Sequence, residues 1–250
     1  MNLFDLSGKT ALVTGAASGL GQGISIALAE AGADVVCASL GSSQETVDRV
    51  NALGRKVLSI EVDLSDHDQL QSTFDQALAL TGKVDILVNN AGIIRRAPAK
   101  DHAAKDWFDV IDINLNTVFL LSQIAGRHML ERGSGKIINI CSMLSYQGGI
   151  NVPGYTASKH GVAGLTRAFA NEWASGGVQI NAIAPGYMAT DNTAPIRADE
   201  NRTASITDRI PAGRWGTPDD LKGPAIFLAS SAADYLNGHI LCVDGGWMAR

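Results

Sequence analysis

Short apolar runs alternate along the chain with longer amphipathic stretches, and this alternation constrains the fold more than any other feature. Seven runs resemble strands: TALVTG, ADVVCAS, KVLSIEVD, VDILVNN, GKIINICS, VQINAIAPG and HILCVDGG. Several are apolar at consecutive positions, as strands buried on both faces of a parallel sheet are. Helix-like stretches lie at residues 19–31, 44–53, 66–80, 104–132, 154–174 and 217–229. The pattern predicts a single α/β domain over residues 1–250, with a doubly wound, seven-stranded, mostly parallel sheet and helices on both faces.

One long polar segment interrupts this rhythm. Residues 187–215 read YMATDNTAPIRADENRTASITDRIPAGRW and follow the end of a strand. Ligands of open α/β sheets bind outside the carboxyl ends of the strands. We therefore predict that residues 187–215 form a lid over a substrate, with a plain surface excursion as the alternative.

Charge and cysteine content exclude several classes of protein. The chain of 250 residues has a formal net charge of −5 and a sequence pI of about 5.5, which argues against nucleic acid or an anionic membrane as the partner. No secretory signal and no apolar run of about 18 residues is evident. Cys37, Cys141 and Cys242 are widely spaced and odd in number, so neither a disulfide framework nor a metal site is expected. We predict a cytoplasmic protein whose cysteines are small buried residues.

Glycines follow the first predicted strand, in TGAASGLG, at Gly15, Gly19 and Gly21. Glycine permits a tight turn and a close approach of backbone to phosphate, and the next helix offers amide donors at its N-terminus. The spacing is GxxxGxG rather than GxGxxG. Alone, this glycine pattern is a weak indication of a dinucleotide site. Its position between strand and helix predicts a Rossmann dinucleotide site.

Polar residues cluster where the later strands end. The fourth strand ends in NNAG, Ser142 ends the fifth, and Asn114 lies within an apolar helical stretch, where asparagine needs a specific bonding role. Tyr155 and Lys159, in YTASK, lie one helical turn apart on one face. A nearby cation favours the ionised form of a phenol and makes it a usable acid or base, although a packed Tyr beside a solvated Lys is the simpler interpretation.

These motifs together, with APGYMAT, resemble the short-chain dehydrogenase/reductase family in order and spacing over essentially the whole chain. The resemblance favours the catalytic interpretation. It implies that Tyr155 is the general acid and base, that Lys159 assists it and binds the nicotinamide ribose, that Ser142 polarises the substrate carbonyl, and that Asn114 anchors a water relay.

The resemblance also implies the cofactor contacts. Besides Tyr155 and Lys159, the predicted cofactor-binding residues are Gly15, Ser18, Gly19, Leu20, Gly21, Ser39, Asp63, Leu64, Asn90, Ala91, Gly92, Pro185, Gly186, Met188 and Thr190.

The sequence favours NAD as the cofactor. Ser39 stands where an acidic residue often marks NAD binding, so this usual NAD marker is absent. The basic residues that usually mark NADP binding are absent too, because position 17 is Ala and no basic residue follows Ser39 until Arg49. A 2′-phosphate without a cation would be poorly bound. NADP remains the alternative, because Ser39, Ser42 and Ser43 could offer neutral donors.

Residues around these motifs indicate the substrate. NNAGIIRR places Arg95 and Arg96 after the fourth strand, and Gln147 and Arg202 accompany Ser142 and Tyr155 as predicted substrate-binding residues. The surroundings resemble a bacterial branch of the family that acts on the secondary alcohol or ketone of six-carbon sugar acids. Gluconate-type acids and then 3-oxoacyl groups on acyl carrier protein are the alternatives. A non-enzymatic nucleotide sensor is disfavoured because Tyr155 and Lys159 are both present. The family resemblance further implies a homotetramer.

Overall fold

Seven parallel strands form one sheet in the computed structural model, which describes residues 3–250. The strand order is β3-β2-β1-β4-β5-β6-β7. The bounds are β1 Thr10–Thr14, β2 Asp34–Ser39, β3 Val57–Glu61, β4 Ile86–Asn89, β5 Gly135–Ile140, β6 Val178–Pro185 and β7 Ile240–Val243. All seven predicted strands are present, and the sheet is parallel throughout.

Helices connect the strands. Their bounds are α1 Gly19–Glu30, α2 Gln44–Ala52, α3 Gln69–Thr81, α4 Ala104–Ile111, α5 Thr117–Arg132, α6 Pro153–Trp173, α7 Ala194–Arg197, α8 Glu200–Arg209 and α9 Lys222–Ala229. The order changes direction between β1 and β4, so their carboxyl ends form the crevice in which open α/β sheets bind ligands.

Consecutive apolar residues in the central strands face opposite layers of helices. Leu12 belongs to the buried cluster with α3 and α5, whereas Val13 belongs to the cluster with α1 and α9. Leu87 and Val88 divide in the same way. Because side chains alternate across a strand, the unbroken apolar runs require a layer of helices on each face.

The helical run 104–132 is 29 residues long and contains an 18-residue window with a mean hydropathy of 1.2, long and apolar enough to cross a membrane by length and composition alone, and 39% of that window is buried. The window includes polar residues such as Asn116 and Thr117, so it is not an uninterrupted apolar run. Leu121, Ala125 and Met129 of this run pack in the core beside the sheet, and a π-helical turn at Asp112–Asn116 separates α4 from α5.

The segment 187–215 contains α7 and α8 and packs by its apolar side chains. Ile196, Ile206 and Ile210 are buried with Met143 and Trp247. A parallel bridge between Met188 and Gly216 closes the base of the segment. The segment is therefore folded against the body of the protein.

The cysteines only partly match the expectation. Cys37 and Cys141 are buried, and Cys242 is exposed. Cys242 lies on β7, which ends the sheet and has one neighbouring strand, so this part of the prediction was wrong.

Candidate active site

A cleft of about 860 Å³ lies beyond the carboxyl ends of the strands. It brings together most of the residues that the motifs predicted. Those that line it are Gly15, Ser18, Gly19, Leu20, Asn90, Ala91, Gly92, Arg96, Ser142, Gln147, Tyr155, Lys159, Gly186, Thr190 and Arg202. The cleft therefore joins a predicted cofactor half to a predicted substrate half.

The glycine loop leaves backbone exposed where a diphosphate would lie. Gly15 has φ +66°, a region that L side chains rarely adopt, and a Cβ there would be 3.0 Å from the Cα of Ala91. A Cβ at Gly21 would collide with the carbonyl of Gly15. The first turn of α1 carries no acidic residue, so its amide groups and positive dipole end remain available to an anion. These features fit a dinucleotide.

Thr14 fixes the loop after β4 against the glycine loop. Its Oγ1 accepts hydrogen bonds from the amides of Asn90 (2.9 Å) and Ala91 (3.0 Å). The Asn90 side chain donates to the Thr14 carbonyl at 2.9 Å. Asn89 is instead buried and donates to Ser122. Of the two asparagines in NNAG, only Asn90 lines the cleft.

Tyr155 and Lys159 lie in α6, which holds them one turn apart at the cleft. The Lys159 Nζ is 5.5 Å from the centroid of the Tyr155 ring. It donates to the carbonyl of Ile140 at 2.6 Å, and Lys159 is only 5% exposed. This bond fixes a buried cation beside the phenol.

Ser142 begins a short helical turn directly after β5. Its Oγ accepts a hydrogen bond from the amide of Leu144 at 3.1 Å. Ser145, at the end of that turn, donates to the backbone carbonyl of Lys159 at 2.8 Å. The strand end and α6 are thus bonded together. Burial raises the pKa of the neighbouring Cys141 thiol, which keeps a second charge out of this corner.

Asn114 is fully buried within the π-helical turn, behind the cleft. Its Oδ1 accepts from the amide of Ile93 at 2.8 Å, and its Nδ2 donates to the carbonyl of Ile93 at 2.9 Å and to Ser158 at 3.2 Å. The mid-helix asparagine therefore does have a specific bonding role: it holds the backbone after NNAG against α6.

Other predicted residues lie outside the cleft lining: Gly21, Ser39, Asp63, Leu64, Arg95, Asn114, Pro185 and Met188. Ser39 accepts a hydrogen bond from the Ala17 amide at 3.1 Å, beside the glycine loop. Asp63 is exposed, and hydrogen bonds from the Ser65 side chain and amide lower its pKa. Leu64 is 4% exposed, and its carbonyl accepts from Thr117.

The two consecutive arginines point to different surroundings. Arg96 lines the cleft, and its Nη2 donates to the carbonyl of Asn192 in the segment 187–215 at 3.3 Å. Arg95 pairs with Asp106 at 3.6 Å. Neighbouring residues in extended chain face opposite sides, which explains the division.

Cationic side chains outnumber acidic ones in the cleft lining. Among residues 3–250, the lining contains Arg96, Lys159, Arg202 and Arg209 but only one carboxylate, Asp191. The whole chain has a net charge of −5, so the positive cleft is a local feature that favours an anionic ligand.

Sequence reasoning missed Arg209, Tyr187 and Trp247, which also line the cleft. Trp247 had a signal, because an aromatic residue in the terminal GGWMAR is a poor candidate for a solvated tail. The sequence analysis assigned it no site. Arg209 gave no signal, since a basic residue at the end of a polar helix is usually solvated.

The architecture and the chemistry of the cleft define an NAD(P)-dependent oxidoreductase of alcohols and ketones. The loop after β1 leaves room for a diphosphate, and the Tyr155 phenol and the Lys159 ammonium lie in the same cleft. Residues 15–248 match the family described as enoyl-(acyl carrier protein) reductase. The chain belongs to the short-chain dehydrogenase/reductase family.

Individual relatives agree with this assignment. The 2-dehydro-3-deoxy-D-gluconate 5-dehydrogenase of Bacillus subtilis (strain 168) is 58% identical over 248 residues, 99% of this chain and 97% of the relative. An Agrobacterium tumefaciens structure with bound NADP, provisionally described as a 2-deoxy-D-gluconate 3-dehydrogenase, is 51% identical with a TM-score of 0.94, covering 100% of both chains. A gluconate 5-dehydrogenase from Burkholderia cenocepacia J2315, in complex with NADP and tartrate, is 40% identical with a TM-score of 0.95, covering 100% of this chain and 98% of that one. The predicted family and its resemblance to the sugar-acid branch are confirmed.

Proposed function

We propose that this oxidoreductase interconverts the C5 alcohol and ketone of 2-dehydro-3-deoxy-D-gluconate, a six-carbon sugar acid. The observation that carries the proposal is the positive cleft lining, four cationic side chains against one carboxylate, in an acidic protein. A substrate with a fixed negative charge suits this lining better than a neutral sugar or an acyl chain. The name of the B. subtilis relative supports the same substrate.

Each residue of the catalytic group has a definite task in this reaction. Bound NAD(P) supplies the hydride acceptor or donor. During oxidation, the Tyr155 oxygen takes the proton from the substrate hydroxyl. Lys159, held by the Ile140 carbonyl, stabilises the negative charge on that oxygen. Asn114 acts behind them by fixing the Ile93 backbone.

Ser142 orients the substrate oxygen. Its Oγ already accepts a hydrogen bond from the Leu144 amide, so its hydroxyl hydrogen is left to be donated. Donation to the reacting oxygen polarises a ketone, or orients an alcohol toward Tyr155.

We propose NAD as the preferred nicotinamide cofactor. The bond from the Ala17 amide to Ser39 places two uncharged residues beside the glycine loop, where a 2′-phosphate would require a cation. NADP is the alternative: the A. tumefaciens and B. cenocepacia structures hold it, and the Ser43 hydroxyl is buried without a hydrogen-bond partner within residues 3–250.

We propose Arg96 as the partner of the substrate carboxylate. Its planar fork can bond both carboxylate oxygens. Residues 187–215 act as the lid of the single domain, and Arg96 connects β4 to that lid through Asn192. We further propose a cytoplasmic homotetramer, in which the exposed apolar residues of α4 and α5, Phe108 and Phe119, lie in an interface.

A panel of substrates tests the proposed activity. The purified protein is assayed by nicotinamide absorbance with 2-dehydro-3-deoxy-D-gluconate, D-gluconate and their uncharged sugar or polyol counterparts, each with NAD and with NADP. The proposal expects the 2-dehydro-3-deoxy acid to have the highest kcat/KM. A preference for D-gluconate would favour the alternative activity, that of a gluconate 5-dehydrogenase, which is how the B. cenocepacia structure is described. A preference for uncharged sugars would refute the sugar-acid assignment.

A further inference from the structure

Arg209 ends α8 and reaches the cleft across the face of an aromatic ring. Its guanidinium carbon lies 3.9 Å from the centroid of the Trp247 ring. Both residues line the cleft that contains Ser142 and Tyr155. The stacking therefore joins the lid to the C-terminal segment at the substrate half of the site.

The ring beneath Arg209 is firmly held. Trp247 is 5% exposed, and its ring meets the edge of Tyr187 at a centroid distance of 4.9 Å. Asp244 fixes the turn that carries Trp247 by accepting from the amides of Gly246 and Met248, both at 2.9 Å. The platform is therefore ordered by bonds within its own segment.

The end of α8 is also attached to the C-terminal segment. The Nη1 of Arg250 donates to the backbone carbonyl of Asp208 at 3.2 Å. This contact holds the backbone next to Arg209 against the segment that carries Trp247.

Arg209 has no acidic partner within residues 3–250, whereas Arg95 pairs with Asp106 and Arg214 with Asp220. Stacking uses only the flat face of a guanidinium and leaves its in-plane N–H donors available. A preoriented guanidinium without an acidic partner, in the lining of the same cleft as Ser142 and Tyr155, is suited to bind a carboxylate in bidentate fashion.

We propose that Arg209 binds the substrate carboxylate together with Arg96, and that Trp247 is its positioning residue. This inference rests on the proposed sugar-acid substrate and specifies how the acid is distinguished from an uncharged polyol. Arg209 belongs to the lid and Arg96 to the loop after β4, and both line the same cleft, so the anion site is built from two separate parts of the chain.

Binding of an unreactive acid tests Arg209 separately from turnover. Tartrate and its uncharged counterpart threitol are titrated calorimetrically into the complex of the protein with NADH, the reduced form of the proposed cofactor. Arg209→Gln should weaken tartrate binding about ten- to a hundredfold, the effect of one lost charged hydrogen bond, and leave threitol unchanged. The tartrate affinity of Arg209→Lys should lie between those of the wild type and Arg209→Gln, because lysine keeps the positive charge but lacks the planar, forked donor group of arginine.

Arg197→Gln is the matched control. Arg197 also lies in the lid, but its Nη2 donates to the Thr190 carbonyl at 3.0 Å and it is outside the cleft lining. It should leave tartrate affinity unchanged. With the proposed substrate, Arg209→Gln should raise KM far more than it lowers kcat.

The role of Trp247 is tested with two replacements. Its Nε1 is buried without a hydrogen-bond partner within residues 3–250, so replacing the indole by a phenyl ring removes no hydrogen bond. Trp247→Phe should keep tartrate affinity within about threefold, because a phenyl face also attracts a guanidinium. Trp247→Leu should match Arg209→Gln, with its fold checked by circular dichroism and NADH affinity.

Several results would overturn the inference. Unchanged tartrate affinity in Arg209→Gln would do so, as would equal losses for tartrate and threitol, which would indicate a structural role. Loss of tartrate affinity in Trp247→Phe equal to that in Trp247→Leu would remove Trp247 from the account. If the wild type acts equally on acids and uncharged polyols, the proposed function fails; if it prefers acids and Arg209→Gln keeps that preference, only the role of Arg209 fails.

Discussion

Replacing Tyr155 by Phe removes one oxygen from the cleft and leaves the aromatic ring in α6. General acid and base catalysis contributes about 10²- to 10⁴-fold, so kcat should fall by that factor. Cofactor affinity should survive, because the glycine loop and the bond from Lys159 to Ile140 remain. Steady-state kinetics with fluorescence titration of NADH measure both. A Tyr155→Phe enzyme that keeps more than roughly a tenth of its kcat contradicts the assigned role.

The consecutive arginines allow a matched comparison. Arg96→Ala should lower kcat/KM for a sugar acid about ten- to a hundredfold, the effect of a lost charged hydrogen bond. Arg95→Ala should have little effect, because Arg95 pairs with Asp106 at the surface. Both variants are assayed at saturating cofactor. Equal activity of the two variants would show that Arg96 does not bind the carboxylate.

Single residues could be predicted from sequence where the chemistry required an unusual residue type. Tyr155 and Lys159 alone fitted a packed Tyr beside a solvated Lys, and only their place among the other family motifs indicated catalysis. Asn114 stood out because asparagine within an apolar helix needs a specific bonding role. Arg95 and Arg96 could not be distinguished from the sequence, because the ion pair with Asp106 depends on where α4 packs. Arg209 was missed because its role depends on a ring 38 positions later in the chain.

At the scale of elements, Asp85 connects three parts of the fold at the end of the sheet opposite the cleft. It precedes β4, is 4% exposed, and accepts from the Thr10 amide at 2.9 Å and from Arg132 at 2.8 Å. Burial opposes ionisation, but hydrogen bonds from Arg132, Thr10 and Lys83 outweigh it and lower the pKa of Asp85. The charged carboxylate therefore stabilises the folded state.

This arrangement predicts a pH-dependent loss of stability in Asp85→Asn. Since the folded pKa is lowered, the stabilisation is complete above the ordinary carboxyl value of about 4 and is lost as pH falls through the lower folded value. The substitution should cost about 1.5–3 kcal/mol at pH 7, and the difference from wild type should narrow below about pH 4. Urea unfolding of both proteins measures this.

Asp101→Asn serves as the control for Asp85, since Asp101 is exposed on a short turn. It should change the free energy of unfolding little at either pH. A constant difference between Asp85→Asn and wild type from pH 7 to pH 3 would contradict the role assigned to the ionised carboxylate. Activity at pH 7 should be unaffected under folded conditions, because Asp85 is not in the cleft lining.

The strands were easier to predict than the helices and the lid. Buried parallel strands have long apolar runs with no competing pattern, so all seven were found. The π-helical turn at Asp112–Asn116 could not be predicted, and the bonds of its Asn114 are made to Ile93 in a separate loop. The segment 187–215 was expected to be a lid because of its polarity, whereas the burial of Ile196 and Ile206 against Met143 and Trp247 could not be read from the sequence.

At the scale of the whole molecule, exposed aromatic residues predict assembly. Phe108 is 61% and Phe119 37% exposed on α4 and α5. Sedimentation velocity should give a mass close to four chains of 26.2 kDa. Phe119→Glu should shift the distribution toward smaller species, because it places a charge in the proposed interface. A wild-type protein that sediments as single chains at micromolar concentration contradicts the tetramer.

The proposed reaction of this protein moves a hydride between C5 of a sugar acid and a nicotinamide. The most direct measurement follows that hydrogen. The wild-type protein is incubated with NAD and with 2-dehydro-3-deoxy-D-gluconate carrying deuterium at C5, and the products are analysed by NMR. We expect deuterium at C4 of the reduced nicotinamide and a ketone at C5 of the acid. Reduced nicotinamide without deuterium, or no turnover of this acid with either NAD or NADP, would contradict it.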